Sequence, residues 1–353
     1  FTTSCRSILS DETMTMMNNN LLFSAKNLSV DFTTDEGVIR AVDDISFSLE
    51  GGKTLGIVGE SGSGKSVAMR SLISLHPQNA IVGKQTKLFL KRKSGGSTDI
   101  AQLKSKDQDL YNIRGGEISM IFQEPTASFS PIYTIGKQIS QAIRLHEDVS
   151  KTEARKRVVS MLDRVGITEP DTRFDQYSFE LSGGMRQRAM IATALVTRPS
   201  ILIADEPTTS LDVTIQAQVL KLMRDLQKEF GMGIIFISHD LGVISQVSDE
   251  ICVMYLGKIV EQGITKDIIS NPQHPYTKAL LAAMPRIDNV NMTLEPIKGD
   301  IPSPLERPSG CVFHTRCNFA DQNLCVSTIP DFEKVGEKHN SACHLHSNSE
   351  QMS

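Results

Sequence analysis

The sequence predicts an α/β fold with a mostly parallel core sheet. Two runs that are apolar throughout, residues 201–204 and 234–237, flank an amphipathic stretch at 213–230. Strands apolar on both faces belong to a sheet that helices cover on both sides. A third short run, residues 55–58, ends in a glycine-rich turn that opens onto helical spacing at Ala68, Met69, Leu72, Ile73 and Leu75.

The elements follow in order. Residues 28–32 and 45–49 alternate apolar and polar, as half-buried strands do, and precede the buried run at 55–58. The helix from Ser66 is expected to reach Leu75 and stop before Pro77. Between Gly83 and Gly116 the chain turns polar, with Lys91-Arg92-Lys93 and Ser94-Gly95-Gly96-Ser97. This stretch reads as an insertion looping over the surface, its charge run a solvated hairpin. Residues 150–166 read as a helix rich in Arg and Lys, and another starts near Ser182 and runs to about Thr197, before Pro199. The large domain is expected to end near Met284 and Pro285, where Pro296, Pro302, Pro304 and Pro308 begin to punctuate a loop-rich tail.

Bulk properties narrow the function. A chain of 353 residues suggests one large domain with an appendage. A net charge of −4, with no Trp, offers no basic field of the kind that sequence-independent nucleic-acid binding needs. No apolar run approaches the length of a membrane span, and no secretory leader is visible, so a cytosolic chain is expected. The first residue is Phe1, while Met14, Met16 and Met17 stand before the first periodic segment; residues 1–20 are therefore expected to be disordered or foreign to the native protein.

The chemistry begins at Gly59-Glu60-Ser61-Gly62-Ser63-Gly64-Lys65-Ser66, which fits G-x-x-x-x-G-K-[ST] between a strand and a helix. Glycines let successive N–H groups point at phosphate oxygens, the helix start adds partial positive charge, Lys65 reaches the β and γ phosphates, and Ser66 ligates Mg²⁺. The apolar run at 201–204 ends in two carboxylates, Asp205 and Glu206, suited to organising Mg²⁺ and to polarising a water.

Leu181-Ser182-Gly183-Gly184-Met185-Arg186-Gln187-Arg188 resembles the LSGGQ signature of ABC ATPases, with Met185 in place of the usual Gln. The match extends to Gln123 in Met120-Ile121-Phe122-Gln123-Glu124-Pro125 (Q-loop), to Thr209-Ser210-Leu211-Asp212 (D-loop) and to His239 in Ser238-His239-Asp240 (switch histidine). The resemblance implies a P-loop ABC ATPase with an antiparallel β subdomain and a helical signature subdomain at about 125–198, within an ATPase domain at 21–270. It implies ATP contacts at Gly59, Ser61, Gly62, Ser63, Gly64, Lys65, Ser66 and Val67, and Mg²⁺ held by Ser66, Gln123 and Asp205. Glu206 would be the general base, with His239 and Gln123 beside the γ-phosphate. Ser182, Gly183, Gly184 and Asp212 would serve the ATP of a facing subunit. Phe32 is the expected adenine platform, with Val38 and Arg40 as rivals. A soluble ABC ATPase of DNA repair or translation is the alternative class, and its coiled-coil insert or basic surface is not seen.

Asn271-Pro272-Gln273-His274-Pro275-Tyr276-Thr277 resembles the stretch that opens the C-terminal extension of oligopeptide, dipeptide and nickel importer ATPases, placing such an extension at 271–353. The implied partners are a homologous second ATPase subunit, two membrane permeases and an extracytoplasmic binding protein, with the chain at the cytoplasmic membrane face. Which of these cargoes is carried stays open. Cys311, Cys317, Cys325 and Cys343 supply four thiolates, enough for a Zn²⁺ ion or a [4Fe–4S] cluster. Their spacing lacks the close pairs of zinc ribbons. In the resembled family the run Gly310-Cys311-Val312-Phe313-His314-Thr315-Arg316-Cys317 is associated with [4Fe–4S], expected here as a staple for a tail too small for its own core. His314, His344 and His346 are candidate substitutes. Cys252, in an apolar run, is expected in the core.

Overall fold

A computed structural model describes residues 20–123, 128–208, 212–284 and 297–347. The opening segment, the D-loop residues Thr209, Ser210 and Leu211, and Glu124 and Pro125 after Gln123 lie outside the described residues, as does Pro285.

In chain order the strands are β1 (Leu21–Thr34), β2 (Gly37–Glu50), β3 (Thr54–Val58), β4 (Ala80–Val82), β5 (Lys87–Lys91), β6 (Ser97–Asp99), β7 (Ile118–Ile121), β8 (Ile201–Asp205), β9 (Gly233–Ser238), β10 (Glu250–Tyr255), β11 (Lys258–Ile264), β12 (Glu333–Gly336) and β13 (His339–Ser341). An eight-stranded sheet runs β12-β13-β11-β10-β3-β9-β8-β7. Its strands from β10 to β7 are parallel, and β11, β13 and β12 extend it antiparallel. A second, antiparallel sheet runs β2-β1-β5-β6, with β4 also on β1.

The apolar runs behave as a doubly covered sheet requires. Successive residues of β9 alternate between two cores: Ile234 and Phe236 pack with the helices, Ile235 and Ile237 with the antiparallel sheet. Cys252 is fully buried in the second of these cores, as expected. The helices Ile135–His146, Lys151–Arg164 and Gly183–Leu195 cover one side, and Val213–Phe230 forms as its pattern predicted.

Three expectations differ. The helix after the glycine-rich turn is Lys65–Ser71, shorter than its apolar spacing implied, because Ser74 adopts φ +53° and turns the chain while Leu72 and Ile73 stay buried. The polar stretch from Gly83 to Gly116 is not a surface loop: Leu88, Leu90, Ile100, Leu110 and Ile113 are all buried in the second core. Its charges are engaged too, since Arg92 Nε donates to Glu117 Oε1 at 2.6 Å and Lys93 Nζ to the carbonyls of Gly116 and Arg198. Finally, the tail shares the main core. Tyr276 and Phe313 pack on Tyr255 of β10, and buried Glu261 of β11 accepts from the N–H groups of Gln273 and His274 and pairs with His339 Nε2 at 2.7 Å.

Candidate functional site

Strand β3 delivers the chain to the glycine-rich turn at its C-terminal end. Gly64 starts the following helix at φ +94°, and a Cβ there would stand 2.3 Å from the Ala41 carbonyl oxygen, so only glycine fits. Lys65 is buried, and its Nζ donates to the carbonyls of Gly59 at 2.7 Å and Glu60 at 2.8 Å and to Ser63 Oγ at 3.3 Å. Burial lowers its pKa, opposed by Glu206, Asp205 and Glu60.

The ends of β7, β8 and β9 place the remaining groups, as the C-terminal ends of parallel strands do in open α/β sheets. Asp205 is fully buried and accepts from Ser66 Oγ at 2.9 Å through Oδ1. Its Oδ2 makes no hydrogen bond and lies 3.8 Å from Arg70. Burial raises the Asp205 pKa, against the Ser66 hydrogen bond and the Arg70 charge. Glu206 then leaves the strand at φ +48°, a strained left-handed conformation for a residue with a side chain. Gln123 Nε2 donates to Glu206 Oε2 at 3.1 Å, and His239 Nδ1 lies 3.1 Å from Oε1.

A cavity of about 220 Å³ opens beside these groups; His239 is exposed and does not line it, and meets it through Glu206. Of the residues singled out in the sequence, Ser61, Gly62, Gly64, Lys65, Ser66, Val67, Gln123 and Glu206 line it, while Gly59, Ser63 and Asp205 are buried around it. Phe32 does not line it; the half-buried ring packs in the antiparallel sheet, where β2 and β4 flank its strand, and the cavity wall is Ile39, Arg40 and Ala41 of β2. Of its two rivals, Arg40 is in the wall and Val38 is not. Pro304 and Arg307 of the tail also line the cavity, and no local pattern in the sequence signals them.

Ser182, Gly183 and Gly184, at the start of the helix Gly183–Leu195, do not line this cavity. Ser182 and Gly183 are exposed, and Ser182 Oγ accepts from the N–H of Met185. Asp212 caps the helix Val213–Phe230 through a bond from the Ile215 N–H at 2.9 Å.

In the tail, Cys311, Cys317, Cys325 and Cys343 line one small cavity beside Phe313, Phe319 and Leu324. Among the described residues no three His, Cys, Asp or Glu side chains converge on a single ion position. Burial pushes the Cys311 thiol up to about 11 and raises Cys317 and Cys343 as well. His314 and His344 reach the same cavity but direct a ring nitrogen at the carbonyls of Cys311 and Thr328. His346 turns instead to Ser341 Oγ.

Residues 42–209 match the ABC transporter family, and residues 260–325 match the oligopeptide/dipeptide transporter C-terminal region. A Brucella ovis protein named for peptide import and ATP binding is 45% identical over 93% of this chain and 98% of its own. One from Brucella abortus is 47% identical over 89% and 92%. Among solved structures, a dimeric ATP-binding cassette in a post-hydrolysis state with ADP and Pi has a TM-score of 0.60 at 24% identity, covering 69% of this chain and 99% of that one. The CbiO1 subunit of a Clostridium perfringens ABC transporter complex has a TM-score of 0.59 at 24% identity, over 72% and 92%.

Proposed function

The chain belongs to the ABC transporter family, and from that premise we propose that it is the ATP-hydrolysing subunit of a peptide importer. The observation that carries the reading is Glu206, held between Gln123 and His239 at 3.1 Å each beside the phosphate-binding turn. The N–H groups of the turn and Lys65 bind the phosphates. Glu206 takes the proton of the attacking water, Gln123 orients that water, and His239 holds the carboxylate and faces the γ-phosphate.

Ser66, Gln123 and Asp205 would hold Mg²⁺, and the buried Asp205 Oδ2 without a hydrogen-bond partner fits that role. Mg²⁺, when bound, offsets charge on the β and γ phosphates. Ser182 and Gly183, exposed, and the half-buried Gly184 do not line this chain's own cavity, which suits a head-to-tail pair in which each subunit completes its partner's site. Asp212 would stand at that interface, and the second subunit is a homologue.

No described helix is long and apolar enough to cross a membrane. In this reading the subunit works with two permeases and an extracytoplasmic binding protein, docked on the cytoplasmic membrane face, which the match to the peptide-transporter C-terminal region and the relatives named for peptide import support. Peptides are the cargo, a reading supported by the relatives named for peptide import. A cluster of the [4Fe–4S] type in the tail is supported by four cysteines around one cavity. A single tetrahedral Zn²⁺ draws its sulfurs to about 2.3 Å from one point. Zinc ribbons hold such an ion with closely paired cysteines, a spacing that Cys311, Cys317, Cys325 and Cys343 lack.

Glu206→Gln in the assembled transporter tests the site. ATP binding is expected to persist while turnover falls roughly 10²- to 10⁴-fold. Near-normal turnover would remove Glu206 from the role of base.

A further inference from the structure

We propose that Arg307, carried by the C-terminal tail, is a nucleotide-binding residue whose guanidinium donates to acceptor atoms of the ribose and base. This rests on the reading that the cavity takes ATP. Arg307 and Pro304 reach the cavity from the short turn Pro304–Glu306, which packs against β2. The N–H groups of the glycine-rich turn and Lys65 account for the phosphates, which leaves the β2 wall, where Arg307 stands, for the nucleoside.

The guanidinium is an incompletely used donor. Nη1 and Nη2 are both buried, and neither makes a directed hydrogen bond. The nearest partner is Asp43 of β2, with Nη2 3.0 Å from Oδ2. That one carboxylate is shared with Lys258 at 3.0 Å and Arg40 at 3.6 Å, so cations outnumber it at this wall. Arg40 is further engaged with Asp31, at 2.9 and 3.1 Å. Arg307 thus sets a buried Nη1 without an acceptor at the cavity wall, beside an Nη2 already paired with Asp43, and a buried donor without an acceptor is costly unless a ligand supplies one.

The test is calorimetric titration of the full chain with ATP, ADP and sodium tripolyphosphate, in the wild type and in Arg307→Ala, Arg307→Lys and Asp43→Asn. Arg307→Ala is expected to weaken ATP and ADP alike by roughly tenfold or more, the scale of one charge-assisted hydrogen bond. Tripolyphosphate binding should stay within about twofold, since it lacks the nucleoside, and Arg307→Lys should recover part of the loss. Wild-type ATP affinity in Arg307→Ala would overturn the proposal. So would an equal loss for tripolyphosphate, which would place Arg307 on phosphate. An Asp43→Asn variant that matches Arg307→Ala in lost affinity and lost thermal stability would overturn it too, reducing Arg307 to a tether between tail and β2. Failure of the wild type to bind ATP would instead remove the assignment of the cavity.

Discussion

Arg316 and Glu60 form a bidentate ion pair, Nη1 to Oε2 at 2.7 Å and Nη2 to Oε1 at 3.1 Å, which fastens the tail to the phosphate-binding turn. The Arg316 side chain is 4% exposed, and its Nε donates to the Lys298 carbonyl at 3.0 Å. The hydroxyl of Tyr276 accepts from the Glu60 N–H at 2.9 Å, so two tail residues hold one turn residue. Arg316 also directly precedes Cys317 of the cysteine cavity. Arg316→Ala leaves the Glu60 carboxylate without its partner and is expected to cost about 2–3 kcal/mol in urea unfolding, with weaker ATP binding. Arg316→Lys, which keeps the charge but loses the fork, should fall between the two.

The buried carboxylate of Asp205 is held at a cost to the unliganded fold, since burial disfavours its charge. Asp205→Asn is therefore expected to raise stability without nucleotide by roughly 1 kcal/mol. The same change should make ATP affinity insensitive to added Mg²⁺. Denaturant titrations and nucleotide titrations with and without Mg²⁺ check the two halves separately.

The cysteine cavity makes a prediction with a colour. Protein purified without oxygen is expected to contain iron and acid-labile sulfide in equal amounts and to absorb in the thiolate-to-iron charge-transfer region. Replacing Cys325 by Ser should lose both. A colourless protein loaded with zinc would refute the cluster.

Glu261 is fully buried and satisfied by the N–H groups of Gln273 at 2.6 Å and His274 at 2.9 Å and by His339. Glu261→Ala strands these groups in the core and is expected to cost about 3–5 kcal/mol, read as a shifted urea midpoint with an unchanged slope. A loss below about 1 kcal/mol would mean that the tail is held by its other contacts, the aromatic packing and the Arg316–Glu60 pair among them.

The phosphate-binding half of the site was legible because its chemistry dictates residue types at fixed spacings. Gly64, Lys65 and Ser66 have to stand together, and Asp205 and Glu206 have to end a strand beside them. The parallel strands were legible for a related reason, since burial on both faces leaves an unbroken apolar run such as residues 234–237. Contacts between residues far apart in sequence were not. Leu88 and Leu90 alternate as a strand does, but flanking lysines and glycines hid the pattern. Nothing near Arg307 indicates that it meets Asp43, and nothing near Phe32 indicates that the cavity is walled by Ile39 and Arg40 of the next strand instead. Prolines give the tail a loop-rich signature because they act locally, whereas its anchoring through Tyr276, Phe313 and Arg316 spans distant residues.

The pairing of β13 with β11, and of β12 with β13, has a consequence for how copies of the protein meet in solution. Without the tail, β11 would present a seven-residue row of free backbone donors and acceptors, the kind of edge on which sheets of different molecules join. With it, the outermost strand on that side is the four-residue β12, which carries Glu333 and Lys334 and closes on Gly336. A short, charged edge is a poor template for further strands. Among the described residues the tail thereby ends the sheet on a strand ill suited to joining another molecule.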